Sequence, residues 1–179
     1  MRLRAAIVLL LLALATPGAA QSVRVVAVAD LWDDTVDGAL INAPRLSGDL
    51  QVYLAWQARG RFRVVAVDDV RAAMRARGYK PADLVSPSRS VEIAQAVGAE
   101  WLVTGRWHAL DLEREHIPGM RFAPIAQAMI EIRVLEVSGR RILLDEFFSG
   151  GGAGFANVLL LRQAARAALQ RAAARISGL

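Results

Sequence analysis

The chain opens on an unbroken apolar run, residues 5–15, set behind Arg2 and Arg4. The helix breakers Pro17 and Gly18 follow, then the small pair Ala19-Ala20. That order predicts a secretory signal peptide over residues 1–20, cut after Ala20. The run is too short to cross a bilayer, which takes about 20 apolar residues. No later stretch reads as a membrane span, so the mature domain is expected at residues 21–179 of a periplasmic protein.

Beyond the leader the pattern breaks into short apolar segments. Residues 23–29, VRVVAVA, read as a buried strand, followed by an acidic loop over residues 30–37. Residues 47–59 predict a helix, with Ser47 as its cap, Leu50 and Leu54 inward, and Gly60 as its stop. Residues 62–67 predict a second strand. A helix capped by Asp68 or Asp69 follows, turning Val70, Ala73 and Met74 inward and ending at Gly78. A connector with two prolines leads to a helix opened by Ser88 or Ser90 and closed by Gly98, then to a third strand over residues 101–112.

In residues 129–137, MIEIRVLEV, the period becomes two, which predicts a half-exposed antiparallel strand. Ser138-Gly139 turns it into a partner at residues 141–148, and Ile117-Pro118-Gly119-Met120 suggests a longer hairpin tip. The glycines of residues 150–154 read as a flexible connector into a last helix, residues 155–176. Its inward stripe is Val158, Leu161, Ala165, Leu169, Ala172 and Ile176. The expected fold is α/β (α+β): one mixed sheet of about five strands in the order β-α-β-α-α-β-β-β-α, with helices packed on it.

Charge and cysteine content narrow the function. There are 22 Lys and Arg against 17 Asp and Glu, and two of the basic residues lie in the leader, so the mature excess is three. That is too mild to argue for nucleic acid. The chain has no cysteine, so disulfides, thiolate metal sites and acylation as a lipoprotein are not expected.

Two segments carry a resemblance. The first is Phe62-Arg63-Val64-Val65 through Asp68-Asp69-Val70, with Ile93-Ala94 and Val97-Gly98-Ala99-Glu100-Trp101-Leu102-Val103-Thr104-Gly105. The second is Ile130-Glu131-Ile132-Arg133-Val134-Leu135-Glu136-Val137 with its Gly139 turn and Arg141-Ile142-Leu143; the closing Arg175-Ile176-Ser177-Gly178 extends it. This pattern resembles the amino-terminal domain of TolB and the related envelope modules of the CsgG, LpoB and FlgO type. The resemblance implies a non-catalytic protein of the bacterial cell envelope that binds other proteins. It supplies no catalytic residues.

The side chains themselves offer few sites. Asp30, Asp33, Asp34 and Asp37 lack calcium-loop spacing and read as a solvated loop in which one aspartate caps a turn. His108 and His116 are the only histidines; strand alternation sets His108 beside Thr104 and Arg106 and away from Glu113, which does not assemble a zinc site. The run Ser149 to Gly154 lacks the Lys-Ser/Thr of a phosphate loop. Neither a cofactor nor a metal is expected.

The expectation is therefore a binding module whose partner is another envelope protein. Candidate contact residues are Trp32 in the acidic loop, and Ile117, Met120 and Phe122 in a hairpin over residues 111–126. Arg162 and Arg166, flanking the stripe of the last helix opposite Arg171 and Arg175, carry the alternative of a membrane-surface contact. A small periplasmic hydrolase using the acidic loop is the third reading. A homo-oligomer is compatible with each.

Overall fold

The computed structural model describes residues 23–115, 123–153 and 156–179. The leader and the hairpin tip with Ile117, Met120 and Phe122 lie outside the described residues. The strands are β1 (Arg24–Val28), β2 (Trp32–Asp33), β3 (Phe62–Val64), β4 (Trp101–Glu115), β5 (Ala123–Glu136) and β6 (Arg141–Ala153). The helices are α1 (Gly38–Ile41), α2 (Ser47–Gln57), α3 (Val67–Arg77), α4 (Pro87–Ala96) and α5 (Asn157–Ser177), with 3-10 turns at Ala43–Leu46 and Pro81–Val85.

They build one mixed sheet of the order β3-β1-β4-β5-β6, with β2 paired to β4 beyond the end of β1. β1 runs parallel to β3 and β4, and β4, β5 and β6 form an antiparallel meander. This is the α/β architecture expected, with β2 as an added strand inside the acidic segment.

Local chemistry explains the boundaries. Gly60, Gly78 and Gly98 have φ of 85°, 68° and 65°, so the helices before them end where glycine supplies left-handed backbone. α3 carries Asp68 and Asp69 in its first turn and Arg75 and Arg77 in its last, each matched to the helix dipole. Its N-cap position is Ala66, however, and the acids sit one step inside the helix. Ser47 is likewise not a cap. It is buried as the first residue of α2, and its hydroxyl donates to Asp30 Oδ1 at 2.8 Å. α4 begins at Pro87 behind Ser86 at the N-cap position, so it opens before the expected Ser88 or Ser90.

Two cores lie on opposite faces of the sheet. α2 and α5 cover one face, burying Leu50, Leu54, Leu161, Leu169 and Ile176 against Val26, Val28, Val103, Trp107, Ile130 and Ile132. α3, α4 and the Pro81–Val85 turn cover part of the other, over Ala27, Ala29 and Leu102. Gly105 sits where Leu31 crosses the strand: a Cβ there would stand 2.7 Å from Ile132 Cδ1 and 3.0 Å from Leu31 Cδ2.

The glycine-rich stretch is not a connector. Gly150, Gly151 and Gly152 belong to β6 and pair with Ala128, Gln127 and Ala126 of β5. Gly150 and Gly152 face α5 so closely that a Cβ at Gly152 would lie 2.7 Å from the Leu160 carbonyl oxygen. Five alanines of α5 are buried against the sheet: 164, 165, 168, 172 and 173. Small residues on both sides let the helix axis approach the strand. The predicted stripe is right at Leu161, Ala165, Leu169, Ala172 and Ile176. Val158 is 41% exposed, and Leu160 is buried in the first turn. The hairpin expected over residues 111–126 is formed by the two long strands, β4 continuing to Glu115 and β5 beginning at Ala123, beyond the strand limits of residues 112 and 129 read from sequence.

Candidate functional site

The meander leaves half of one sheet face uncovered. α5 lies on one side of β4, β5 and β6, and α2 on the same side over β1 and β3; on the other side α3 and α4 lie over β1, β4 and only the end of β5 near Leu135. Period-two alternation then sends Thr104, Arg106 and His108 of β4, Met129, Glu131 and Arg133 of β5, and Asp145 and Phe147 of β6 to the open side. Register places them in rows: Thr104–Arg133–Asp145 and Arg106–Glu131–Phe147.

The rows are bonded across the strands. Arg133 donates from Nε and Nη2 to Asp145 Oδ2, at 3.0 and 2.8 Å, and its Nη2 lies 3.5 Å from Glu131 Oε1. His108 Nε2 is 2.8 Å from Glu131 Oε2, and the imidazole sits edge-on to Phe147, 5.0 Å between centroids. Phe147 is 59% exposed and Met129 39%.

At the border of this face, a cleft of about 470 Å³ opens between β2, the Pro81–Val85 turn and the sheet. Trp32, Leu84, Val85, Arg106, Glu131 and Arg133 line it. The Arg106 guanidinium stacks 4.2 Å above the Trp32 ring while Nη2 donates to Asp34 Oδ2 at 2.9 Å. Arg106 Nε is buried and has no hydrogen-bond partner among the described residues. Pairing of β2 with β4 at Trp32–Arg106 fixes this stack. The loop is then tied down by Asp33, whose Oδ1 accepts from Thr35 N and Oγ1 at 3.0 and 2.7 Å.

Each carboxylate of the acidic loop that the structure pairs faces a different way. Asp30 accepts from Arg71 Nε and Nη2, both at 2.8 Å, and from Ser47. The Asp30 carboxylate holds the Arg71 guanidinium above its ordinary pKa, with Asp68 adding to the shift. Asp33 closes its turn and Asp34 pairs with Arg106. A calcium ion needs convergent oxygens, and the described carboxylates of this loop do not converge. His108 bonds a carboxylate, Glu131, and not a hydroxyl.

Trp32 is at the site, but not as the free anchor expected; it is half-buried beneath Arg106. Arg162 is exposed on α5, far in role from the cleft. Arg166 pairs with Asp49 at 2.8 Å, a hydrogen bond that raises its pKa. Arg175 pairs with Glu146 at 3.0 Å, and Arg171 donates to the Ser149 carbonyl at 2.6 Å, so much of the α5 rim is satisfied internally. His108 is also displaced from its expected isolation. A bulge lies between Trp107 and Ala109, and Trp107 and Leu110 are both buried, so alternation breaks and Glu113 falls on the same face as His108.

Glu131, Arg133, Asp145 and Phe147 were not singled out from sequence. The alternation of residues 129–137 marked the first two as polar-face residues; their partners needed the strand register.

No protein-family model matches the chain, and no curated protein matches it in sequence. Solved structures do share its fold. The chain is similar to the lipoprotein GNA1162 from Neisseria meningitidis at 13% identity, TM-score 0.57, over 87% of this chain and 99% of that one. It is similar to the hypothetical protein CT253 from Chlamydia trachomatis at 13% identity, TM-score 0.54, over 87% and 96%. A looser likeness is to the LpoB C-terminal domain from Salmonella enterica, at 22% identity and TM-score 0.40, over 75% and 84%. With the first two, at these identities, the shared property is the fold.

Proposed function

We propose that the chain is an exported, non-catalytic module of the bacterial cell envelope, of the TolB amino-terminal, CsgG and LpoB kind, that captures another envelope protein on the open half of its sheet. One observation carries this reading. The face that α3 and α4 leave bare presents Phe147, Met129 and Val85 at 59%, 39% and 55% exposure, within a rim of charges already paired to one another. Exposed aromatics inside a polar rim are the anatomy of a protein interface. Paired charges make the surface stable in water without a ligand and able to exchange partners on contact. The likeness in fold to a Neisseria lipoprotein supports an envelope setting. No helix among the described residues is long and apolar enough to cross a membrane.

The test is capture in intact cells. Phe147→Ala and Trp32→Ala should each reduce crosslinking to the same envelope protein at least tenfold while leaving the fold intact. Undiminished crosslinking by both variants would reject the face.

A further inference from the structure

A second surface, on the opposite side of the sheet, differs in character. Val52 and Trp56 stand one turn apart on α2, 65% and 77% exposed. Beside Trp56, between the ends of α2 and α5, lies an open cleft of about 640 Å³ whose polar lining is Gln57, Arg59, Arg61 and Ser177. Among the described residues, no carboxylate side chain lines it.

Three details point to an anionic occupant. Arg61 is aimed by carbonyls and not by an acid: Nε donates to Ala58 O at 3.3 Å and Nη2 to Ser177 O. Its charge is therefore oriented but not neutralised there. Ser177 is only 6% exposed, and its hydroxyl, sealed from solvent, has no hydrogen-bond partner among the described residues, so the wall of the cleft beside the two arginines is polar and unsatisfied. Arg59 holds left-handed backbone, φ 48°, immediately before Gly60 at 85°. Glycine is the residue at ease there, so an arginine held in that conformation is strain of the kind that accumulates at binding sites.

We propose that this cleft docks the chain on an anionic phospholipid surface. The Arg59 and Arg61 guanidinium groups meet headgroup phosphate oxygens, and Trp56 and Val52 seat in the interface. Guanidinium forks match phosphate geometry, and tryptophan prefers the boundary between headgroup and acyl chain. The site differs from the α5 rim first considered for a membrane, where Arg166 and Arg175 already hold carboxylates. Because α2 packs on the other side of the sheet from the Phe147 face, a docked chain would leave that face free for a partner. The two readings stand on different residues and fail separately.

The experiment is flotation of the full chain with vesicles of phosphatidylglycerol and phosphatidylcholine, or of phosphatidylcholine alone, at low and high salt. Binding is expected only to the anionic vesicles and should weaken with salt. Arg59→Glu and Trp56→Ala should each weaken it at least tenfold, while Arg162→Glu on α5 should leave it within twofold. Arg59→Gly separates function from folding: relief of the backbone should raise the melting temperature while binding falls. Equal binding to both vesicle types would overturn the proposal. So would equal loss in Arg162→Glu and Arg59→Glu, or release of the chain from vesicles by millimolar inorganic phosphate, which would make free phosphate the ligand.

Discussion

Gly150 of β6 and Ala164 of α5 meet backbone to backbone. A Cβ at Gly150 would fall inside the contact envelope of the Ala164 carbonyl oxygen and lie 2.7 Å from the Ala168 nitrogen. Neither side can yield cheaply, because both are backbone in regular structure. Gly150→Ala should therefore cost about 1–3 kcal/mol, the usual range for overpacking. Gly151→Ala is the internal control: its neighbour on the other face, the Ala126 carbonyl oxygen, would be 3.9 Å away. Thermal unfolding of the pair should show a drop of several degrees for Gly150→Ala and no loss for Gly151→Ala.

Asp30 ties three elements together at the end of β1. Its carboxylate takes both Arg71 from α3 and Ser47 from α2, with the Asp30 and Arg71 side chains 21% and 27% exposed. Asp30→Asn keeps the shape and removes the charge. Left without its carboxylate, Arg71 is a partly buried cation with a weaker acceptor, and the variant should lose about 1–3 kcal/mol in denaturant unfolding. Ser47→Ala, which removes a neutral donor, should lose about 1 kcal/mol.

Tyr79 supplies a pH readout. Its hydroxyl donates to Glu92 Oε2 at 2.7 Å, and this hydrogen bond to a carboxylate pushes its pKa above the usual value of 10.0. The folded state thus holds the phenolic proton more tightly than the unfolded chain does. The contact contributes below the ordinary tyrosine pKa and is lost as pH rises through the raised one. Ultraviolet titration, with Tyr79→Phe to assign the signal, should place the Tyr79 midpoint above 10, and Glu92→Gln should move it down. An unmoved midpoint in Glu92→Gln would remove Glu92 as the cause.

How much of this was legible in the sequence varied with the range of the interaction that decides each element. Gly60, Gly78 and Gly98 ended helices as read, because a left-handed residue is a local demand. The alternation over residues 129–137 gave the right faces, since a pleated strand alternates whatever it pairs with. The Gly150–Gly152 stretch misled because glycine has poor strand propensity; only the alanines of α5, packed against it, make those glycines strand residues. His108 misled because a bulge, invisible in composition, shifts the alternation by one. Ser47 looked like a cap and proved to be a partner of Asp30, a contact set by tertiary packing. At the candidate site, Trp32 could be picked out as an unusual aromatic among acids. Its stack under Arg106 and the Arg133–Asp145 row depend on strands brought together by the fold, and no local pattern announces them.

Leu161 provides a contrast to the binding face. It is fully buried on the sheet-facing side of α5, and Leu161→Ala should cost about 2–5 kcal/mol. Phe147→Ala, at an exposed strand position, should change stability by no more than about 0.5 kcal/mol. A large loss at Phe147 would mean that the residue serves the fold and not a partner.

The most direct test of the central claim is a photo-crosslinking amino acid placed, one at a time, at Phe147, Val85 and Gln170 in the native host. Phe147 and Val85 border the open half of the sheet, and Gln170 is exposed on α5 over the other face. Adducts with one and the same envelope protein from Phe147 and Val85, and none from Gln170, are the predicted result. An adduct from Gln170 with neither of the others would place the contact on the wrong side of the sheet and contradict the account.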